Sequence, residues 1–221
     1  MLRDRRAAWG GLILVTVISL ALSAPLVTSI GPELTRDVAA TRFLGPGTTD
    51  LHGVFHLLGT DRLGRDVWAR LLYGARLSLA VGALAVLISS LLGLGVGALA
   101  GATRGMVRTG LLGITDFALA LPRVVLLLLL ASLWQPSAVL VILVLGVTGW
   151  MSVARLVFGE ARSIMARPFV DGARALGGGR LRILVRHILP NVLTPALVAA
   201  ALGFGNAIML EAGLSFLGVG V

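Results

Sequence analysis

The sequence contains no cysteine and no lysine, and only 13% of its residues are charged. Without cysteine, the chain can form neither disulfide bonds nor thiolate metal sites. A soluble globular domain carries about 25% charged residues, so this chain has too little polar surface for that class. Hydrophobic residues make up 57% of the chain, and its mean hydropathy is +0.97. The composition therefore predicts a membrane protein.

Because lysine is missing, the net charge of +9 comes from an excess of arginine. A strongly basic chain can be a nucleic-acid-binding protein. In a membrane protein, however, arginine collects in the loops on the cytoplasmic side. We therefore interpret the charge as a signal of topology, and expect the lipid bilayer, and no nucleic acid, as a partner.

Five apolar stretches are each close to or above the roughly 20 residues that a spanning helix needs. The fold class that they predict is all-α, a polytopic bundle of transmembrane helices. The predicted spans are 7–26, 77–102, 110–134, 136–158 and 190–217.

The arginines predict the orientation of these spans. A basic cluster precedes the first span, which places the amino terminus in the cytoplasm. Segment 159–189 holds six arginines and is then also cytoplasmic, whereas 27–76 is external. The small residues at 21–24 leave open the alternative of a cleaved signal peptide. The basic cluster consists of Arg3, Arg5 and Arg6.

This topology predicts two parts of the chain. Residues 1–55 contain the cytoplasmic tail, the first anchor and the start of the external loop. Residues 56–221 contain the other four spans and the cytoplasmic loop.

The stretch "VDGARALGGGRLRILVRHILPN", residues 170–191, is basic and interrupted by glycine. Proline suits the first turn of a helix, so Pro168 predicts a helix start, with Phe169, Ala173 and Leu176 on one face. Gly177 predicts the helix end. A second short helix follows, with an apolar face formed by Leu181, Leu184, Val185 and Ile188. The pattern leaves two alternatives open: arginines meeting anionic lipid, or a docking site for a cytoplasmic partner.

This stretch resembles the cytoplasmic EAA loop of binding-protein-dependent ABC importer permeases. Asp171, Gly172 and Ala173 stand where the family has Glu-Ala-Ala, so two of those three residues differ. Gly177 matches the family's glycine, and His187 to Asn191 match its His-Ile-Leu-Pro-Asn ending. The resemblance implies that the first helix is a coupling helix that docks in a groove of an ATPase subunit.

Two further stretches resemble signatures of the "C" subunit of the dipeptide, oligopeptide and nickel permeases. They are "GTDRLGRDVWARLLYGARLSLAVG", residues 59–82, and "EAGLSFLGVG", residues 211–220. The resemblance implies a type I importer permease in a prokaryotic cell membrane, without a cofactor of its own. Its partners would be a homologous permease, two ATPases and an external substrate-binding protein. Members of the family usually continue into a sixth span, so we expect this chain to lack the last transmembrane helix.

Three charged residues, Asp116, Arg123 and Glu211, fall inside predicted spans. Asp116 and Arg123 each cost roughly 2.5–3.5 kcal/mol if they lie at the bilayer centre. On one helix these two would share a face about 10 Å apart, too far to pair. We predict that they face the translocation path or the partner permease. The alternative is a span that starts after Asp116, with Arg123 snorkelling toward the cytoplasm.

Glu211 lies close to small residues, which permit close helix packing. It is predicted to line the pore, or else to form a hydrogen bond to a neighbouring helix.

The external loop contains polar residues with two possible roles. Asp61, Arg65 and Asp66 are expected to form a charged turn that caps the second span, or to dock the binding protein. His52 and His56 have the spacing of a helical metal site, but no third ligand is near, so no metal is expected.

Other function classes fit less well. The sequence has no phosphate-binding loop and no catalytic pair in its spans, so the chain is predicted not to be an enzyme. A self-sufficient secondary transporter or channel remains the alternative, although no clear internal repeat supports it. The sequence does not select among dipeptides, oligopeptides, nickel and glutathione as the substrate.

Overall fold

The computed structural model describes residues 5–28, 30–34 and 37–218. Arg3 of the basic cluster and the end of the motif at 211–220 lie outside this part of the chain. The chain divides into two compact units, residues 1–80 and 81–221.

The first unit contains helices, turns and irregular loops, and one small hairpin in which Thr48 pairs with His56 and Thr49 pairs with Phe55. The long helix α4 starts in this unit. Its first turn is capped by Asp66, whose Oδ1 accepts hydrogen bonds from the backbone N–H groups of Trp68 and Ala69 at 2.7 and 3.1 Å. The elements are α1 (Arg5–Leu22), α2 (Ala24–Val27), α3 (Val38–Thr41), β1 (Thr48–Thr49), β2 (Phe55–His56) and α4 (Val67–Ala102).

The first predicted span, 7–26, differs from the observed helix. The apolar part of α1 is Ala8–Leu22, which at 1.5 Å per residue is about 22 Å long. The hydrocarbon core of a bilayer is about 30 Å thick, so this helix alone is short for a span. Pro25 has no N–H to continue the hydrogen-bond ladder, and a turn at Ser23 separates α1 from α2.

The second unit contains the rest of α4 and the helices that follow it. Among the described residues, three helices are long and apolar enough to cross a membrane: Val67–Ala102, Ala138–Met165 and Arg180–Phe216. A bent helix pair would make a fourth. The elements are α5 (Met106–Ala120), α6 (Arg123–Ser132), α7 (Ala138–Met165), α8 (Pro168–Ala175), α9 (Arg180–Ile183), a π-helical turn (Leu184–Ile188) and α10 (Leu189–Phe216).

The predicted third span is not one straight helix. It consists of α5 and α6, which meet at an angle of 84°. Proline disfavours the helical conformation of the residue before it, and Leu121, which precedes Pro122, is extended with φ −76° and ψ 133°. The face that Asp116 and Arg123 were predicted to share is therefore absent, because the two residues lie on different helices.

The predicted fifth span is longer than expected. The second short helix was predicted to be separate, but α9, the π-helical turn and α10 form one apolar helical segment, Arg180–Phe216. In the turn, the Leu189 N–H bonds to the carbonyl of Leu184. Pro190 cannot donate a helical hydrogen bond, and the wider turn before it accommodates this loss without ending the helix.

Glycines let α4 and α7 approach closely. Gly93, Gly97 and Gly101 recur every fourth residue on α4, which is the spacing of small residues at membrane helix contacts. A Cβ at Gly93 would lie 2.5 Å from the Cβ of Val153, and one at Gly97 would overlap the carbonyl oxygen of Ala154. Neither position has room for a methyl group.

We expect Gly97→Ala to destabilise the second unit by about 1–3 kcal/mol, because overpacking pushes the two helices apart. The matched control is Gly95→Ala on the same helix, where a Cβ would meet nothing within 4 Å. Thermal unfolding of the purified protein in lipid nanodiscs measures the difference. Equal midpoints for the two variants would contradict the close contact.

The predicted topology is tested with single cysteines, since the natural chain has none. Leu51 is 83% exposed, and a Cβ at Gly179 would meet nothing within 4 Å. In intact cells, Leu51→Cys should react with an impermeant thiol reagent and Gly179→Cys should not. Inverted vesicles should reverse the pattern, and the opposite result in both preparations would reverse the topology.

Candidate functional site

Helix α8 begins and ends as the sequence predicts. Arg167 is extended and Pro168 occupies the first turn. At the other end Gly177 has φ +81°. The Gly178 N–H donates to the carbonyl of Ala173 and the Gly177 N–H donates to that of Arg174, both at 2.9 Å. This pair of bonds is the Schellman motif, so Gly177 fixes the direction in which the chain leaves α8.

One side of the 168–188 segment is buried in the second unit. Val170, Ile183 and Ile188 are at most 4% exposed. They belong to one core cluster with residues of α7 and α10, among them Val157 and Val192. The segment is therefore packed onto the long helices rather than tethered by flexible linkers.

The residues of the predicted apolar faces differ in burial. On the face predicted for the second helix, Ile188 is buried while Leu181 and Val185 are exposed, and Ile183, which is outside that face, fills the core beside Ile188. In α8, Val170 is buried and Ala173 is half-buried, whereas Leu176 is exposed. The reason is that each short helix packs through the side facing α7 and α10, which its own periodicity does not identify.

The exposed side carries large apolar residues among arginines. Phe169 is 44% exposed, Leu176 89%, Leu181 73% and Val185 55%. We call these four residues the docking surface. It is flanked by exposed arginines, namely Arg180, Arg182 and Arg186.

Two side-chain contacts lie at or beside the docking surface. The ring of Phe169 lies 5.8 Å from the ring of His187, tilted by 48°, which joins α8 to the helical segment after it. Asp171 accepts a hydrogen bond from Arg174 at 2.7 Å on the exposed side of α8. Gly172, next to Asp171, is also exposed.

Asp116 is satisfied by another helix. Its Oδ1 pairs with Nη2 of Arg155 on α7. Both side chains remain almost half exposed, so the pair lies on the surface of this unit. An ion pair exposed to lipid is costly, so this exposed position is compatible with the prediction that Asp116 faces the path or a partner.

Arg123 lies in a different environment. It lines a cavity of about 260 Å³, together with residues of α4, α7 and α10. Its Nε is buried without a hydrogen-bond partner. The predictions that Asp116 and Arg123 line the path or contact a partner stay predictions.

Glu211 is 5% exposed, and it accepts a hydrogen bond from the hydroxyl of Ser215 at 2.9 Å, one turn along α10. The structure thus places the carboxylate inside the second unit, not on its exposed surface.

The loop before α4 forms the charged turn that the sequence predicts. Asp61 pairs with Arg65 at 2.9 Å and with Arg70 at 2.8 Å. Burial acts to raise the pKa of Asp61, but the backbone N–H groups of Arg65 and Leu63 and the Arg65 guanidinium outweigh it and lower the pKa to about 2.

The two loop histidines are not on a helix, contrary to the spacing hypothesis. His56 is in β2 and is buried, with Nδ1 3.1 Å from Asp66 and Nε2 3.6 Å from Asp50. His52 is exposed in the hairpin turn. No group of three potential metal ligands occurs in residues 5–28, 30–34 and 37–218.

The chain is similar to known transport proteins. The family model described as "binding-protein-dependent transport system inner membrane component" matches residues 93–221. The chain is 37% identical to a peptide transport system permease protein of Brucella abortus, over 100% of this chain and 71% of that protein. It is 36% identical to the dipeptide transport system permease protein of Alkalihalophilus pseudofirmus, over 99% and 70%. It is 32% identical to the oligopeptide transport system permease protein of Bacillus subtilis, over 99% and 69%.

We expect Asp116→Asn to destabilise the protein, because it leaves the Arg155 guanidinium without its counter-charge. The double variant with Arg155→Gln should recover part of the loss, with a coupling of about 0.2–1 kcal/mol, since the pair is almost half exposed. A double-mutant cycle of thermal unfolding in nanodiscs measures this. Additive effects of the two changes would mean that the pair is not formed in the membrane.

Proposed function

We propose that this chain, which belongs to the family of binding-protein-dependent transport system inner membrane components, forms half of the translocation pathway of an ATP-driven importer. It is a C-type permease subunit of the peptide group, and ATP hydrolysis belongs to separate subunits. The partners that we propose are a homologous permease, two ATPases and an external substrate-binding protein.

The proposed cargo is dipeptides or oligopeptides. The relatives described above are named for peptide, dipeptide and oligopeptide transport. Nickel, which the sequence motifs also allow, has no such support among these relatives.

The docking surface supports coupling to an ATPase. Its four apolar residues are exposed. An exposed group of large apolar side chains with a polar rim is typical of a protein-binding site. The arginines beside them give the rim a positive charge that suits an acidic partner. A helix packed into a groove through such apolar anchors is a common recognition mode.

The packing beneath the surface supports the transmission of movement. Val170 and Ile183 belong to the same core cluster as residues of α7 and α10. Because a packed core moves as a body, a displacement of α8 by the ATPase would also displace the long helices. A loop that only touched lipid headgroups would need no such connection.

We expect Leu176→Ala and Phe169→Ala each to weaken binding of the ATPase about tenfold or more, since burying such a side chain contributes roughly 1.5–3 kcal/mol. Leu176 is 89% exposed, so its loss should disturb little within the chain. The matched control is Leu26→Ala, at a leucine that is 88% exposed in the first unit. Recovery of the ATPase with the tagged permease provides the measurement.

Gly177→Val should also uncouple ATP hydrolysis from uptake, because a β-branched residue is strained at φ +81°. Unchanged ATPase recovery with Leu176→Ala and Phe169→Ala, but loss with Arg180→Gln and Arg182→Gln, would instead favour an interfacial loop held by charge. A chain that supports uptake with no ATPase present would favour the secondary transporter.

A further inference from the structure

The cavity beside Arg123 has a partly polar lining and lies among four helices of the second unit. Its lining includes three hydroxyl groups and one amide, contributed by Ser89, Ser90, Ser152 and Asn206. The rest of the lining consists of small or apolar residues, and none of the lining residues is acidic. Arg123 therefore gives the cavity a positive charge.

Hydrogen-bond donors in this cavity are unused. The Nε of Arg123 and the hydroxyl of Ser90 are buried without partners, and none of the ion pairs in the described part of the chain includes Arg123. The carboxylate of Asp116, on the preceding helix, is paired with Arg155. Arg123 as a whole is partly buried, but a buried N–H without an acceptor is costly, so an anion that accepts from this Nε would complete the site.

The position of the guanidinium is set by packing. A Cβ at Gly149 would lie 3.5 Å from Nη2 of Arg123 and 2.9 Å from Cβ of Ser89. The absence of a side chain at Gly149 thus leaves room for the arginine head group against α7. The Ser89 hydroxyl already donates to the carbonyl of Val86 at 3.0 Å, so its oxygen helps to fix this wall of the cavity.

We propose that this cavity binds the free carboxylate at the carboxyl terminus of a transported peptide. A guanidinium offers parallel N–H groups that match the two oxygens of a carboxylate, and the Ser90 hydroxyl adds a donor. Every unmodified peptide carries this group whatever its side chains, so the site would recognise peptides as a class. The proposal rests on the proposed function, since it takes peptides as the cargo.

Direct binding tests the site without reference to transport. The permease assembled with its partner permease and ATPases, but without the binding protein, is placed in nanodiscs and titrated with Ala-Ala and with Ala-Ala amide. Ala-Ala should bind at least about tenfold more tightly, as expected for a hydrogen bond to a charged group. Arg123→Gln should abolish the difference, whereas Arg123→Lys should keep part of it.

Two further variants distinguish a specific loss of binding from a loss of folding. Ser90→Ala should weaken Ala-Ala binding about 2- to 10-fold and leave amide binding unchanged. Arg104→Gln removes an exposed arginine that does not line the cavity and should change neither. Three results would each overturn the proposal. They are equal binding of Ala-Ala and Ala-Ala amide by the natural protein, a preference for Ala-Ala that remains in Arg123→Gln, and binding of chloride as tight as that of Ala-Ala.

Uptake into proteoliposomes with the binding protein present separates this proposal from the proposed function. If peptides are taken up but Ala-Ala and Ala-Ala amide bind equally well to the natural protein, the carboxylate site alone is overturned. Binding of Ala-Ala through Arg123 without ATP-driven uptake of peptides would overturn the proposed function and leave the carboxylate site standing.

Discussion

The close contact between α4 and α7 is the constraint on which the second unit depends. In a membrane, lipid tails are as apolar as the helices, so helices associate through close packing rather than through the hydrophobic effect. Gly93, Gly97 and Gly101 provide that packing on α4. On α7, a Cβ at Gly146 would lie 2.9 Å from Ile88, and one at Gly149 would lie 2.9 Å from Ser89. Glycine on both helices thus brings the backbones together over several turns.

The 168–188 segment, which carries the docking surface, packs against this helix pair. The core cluster that begins with Ala98 and Val153 between α4 and α7 continues through Val157 to Val170 and Ile183. One set of contacts therefore joins the glycine-mediated interface to the surface that we propose for the ATPase. The exposed residues of the surface are free to contact a partner. The buried residues beneath it, such as Val170 and Ile183, fix its position relative to the long helices.

The three charged residues that the sequence places inside predicted spans lie in three different environments. Asp116 forms an ion pair with Arg155 between α5 and α7. Glu211 is buried and bonded to Ser215 on its own helix. Arg123 follows the break at Pro122, which turns the chain by 84° and directs α6 toward the cavity. Asp116 and Glu211 have partners within the chain, whereas the Nε of Arg123 has none.

The sequence alone was sufficient for the features that depend on local chemistry. Composition predicted a helical membrane protein, Pro168 and Gly177 predicted both ends of α8, and Asp66 predicted the cap of α4. These predictions succeeded because each rests on the conformation or hydrogen bonding of a few adjacent residues. The family motifs were equally local, and the similarity to transport permeases agrees with them.

The tertiary structure decided which residues meet across helices. Sequence spacing put Asp116 and Arg123 on one face, but the break at Pro122 separated them, and Arg155, 39 residues further on, became the partner of Asp116. The tertiary packing likewise buried Ile183 and left Leu181 exposed. The repeat of Gly93, Gly97 and Gly101 was visible in the sequence, but its partner helix was not. Periodicity describes one helix at a time, whereas pairing depends on how separate helices pack in space.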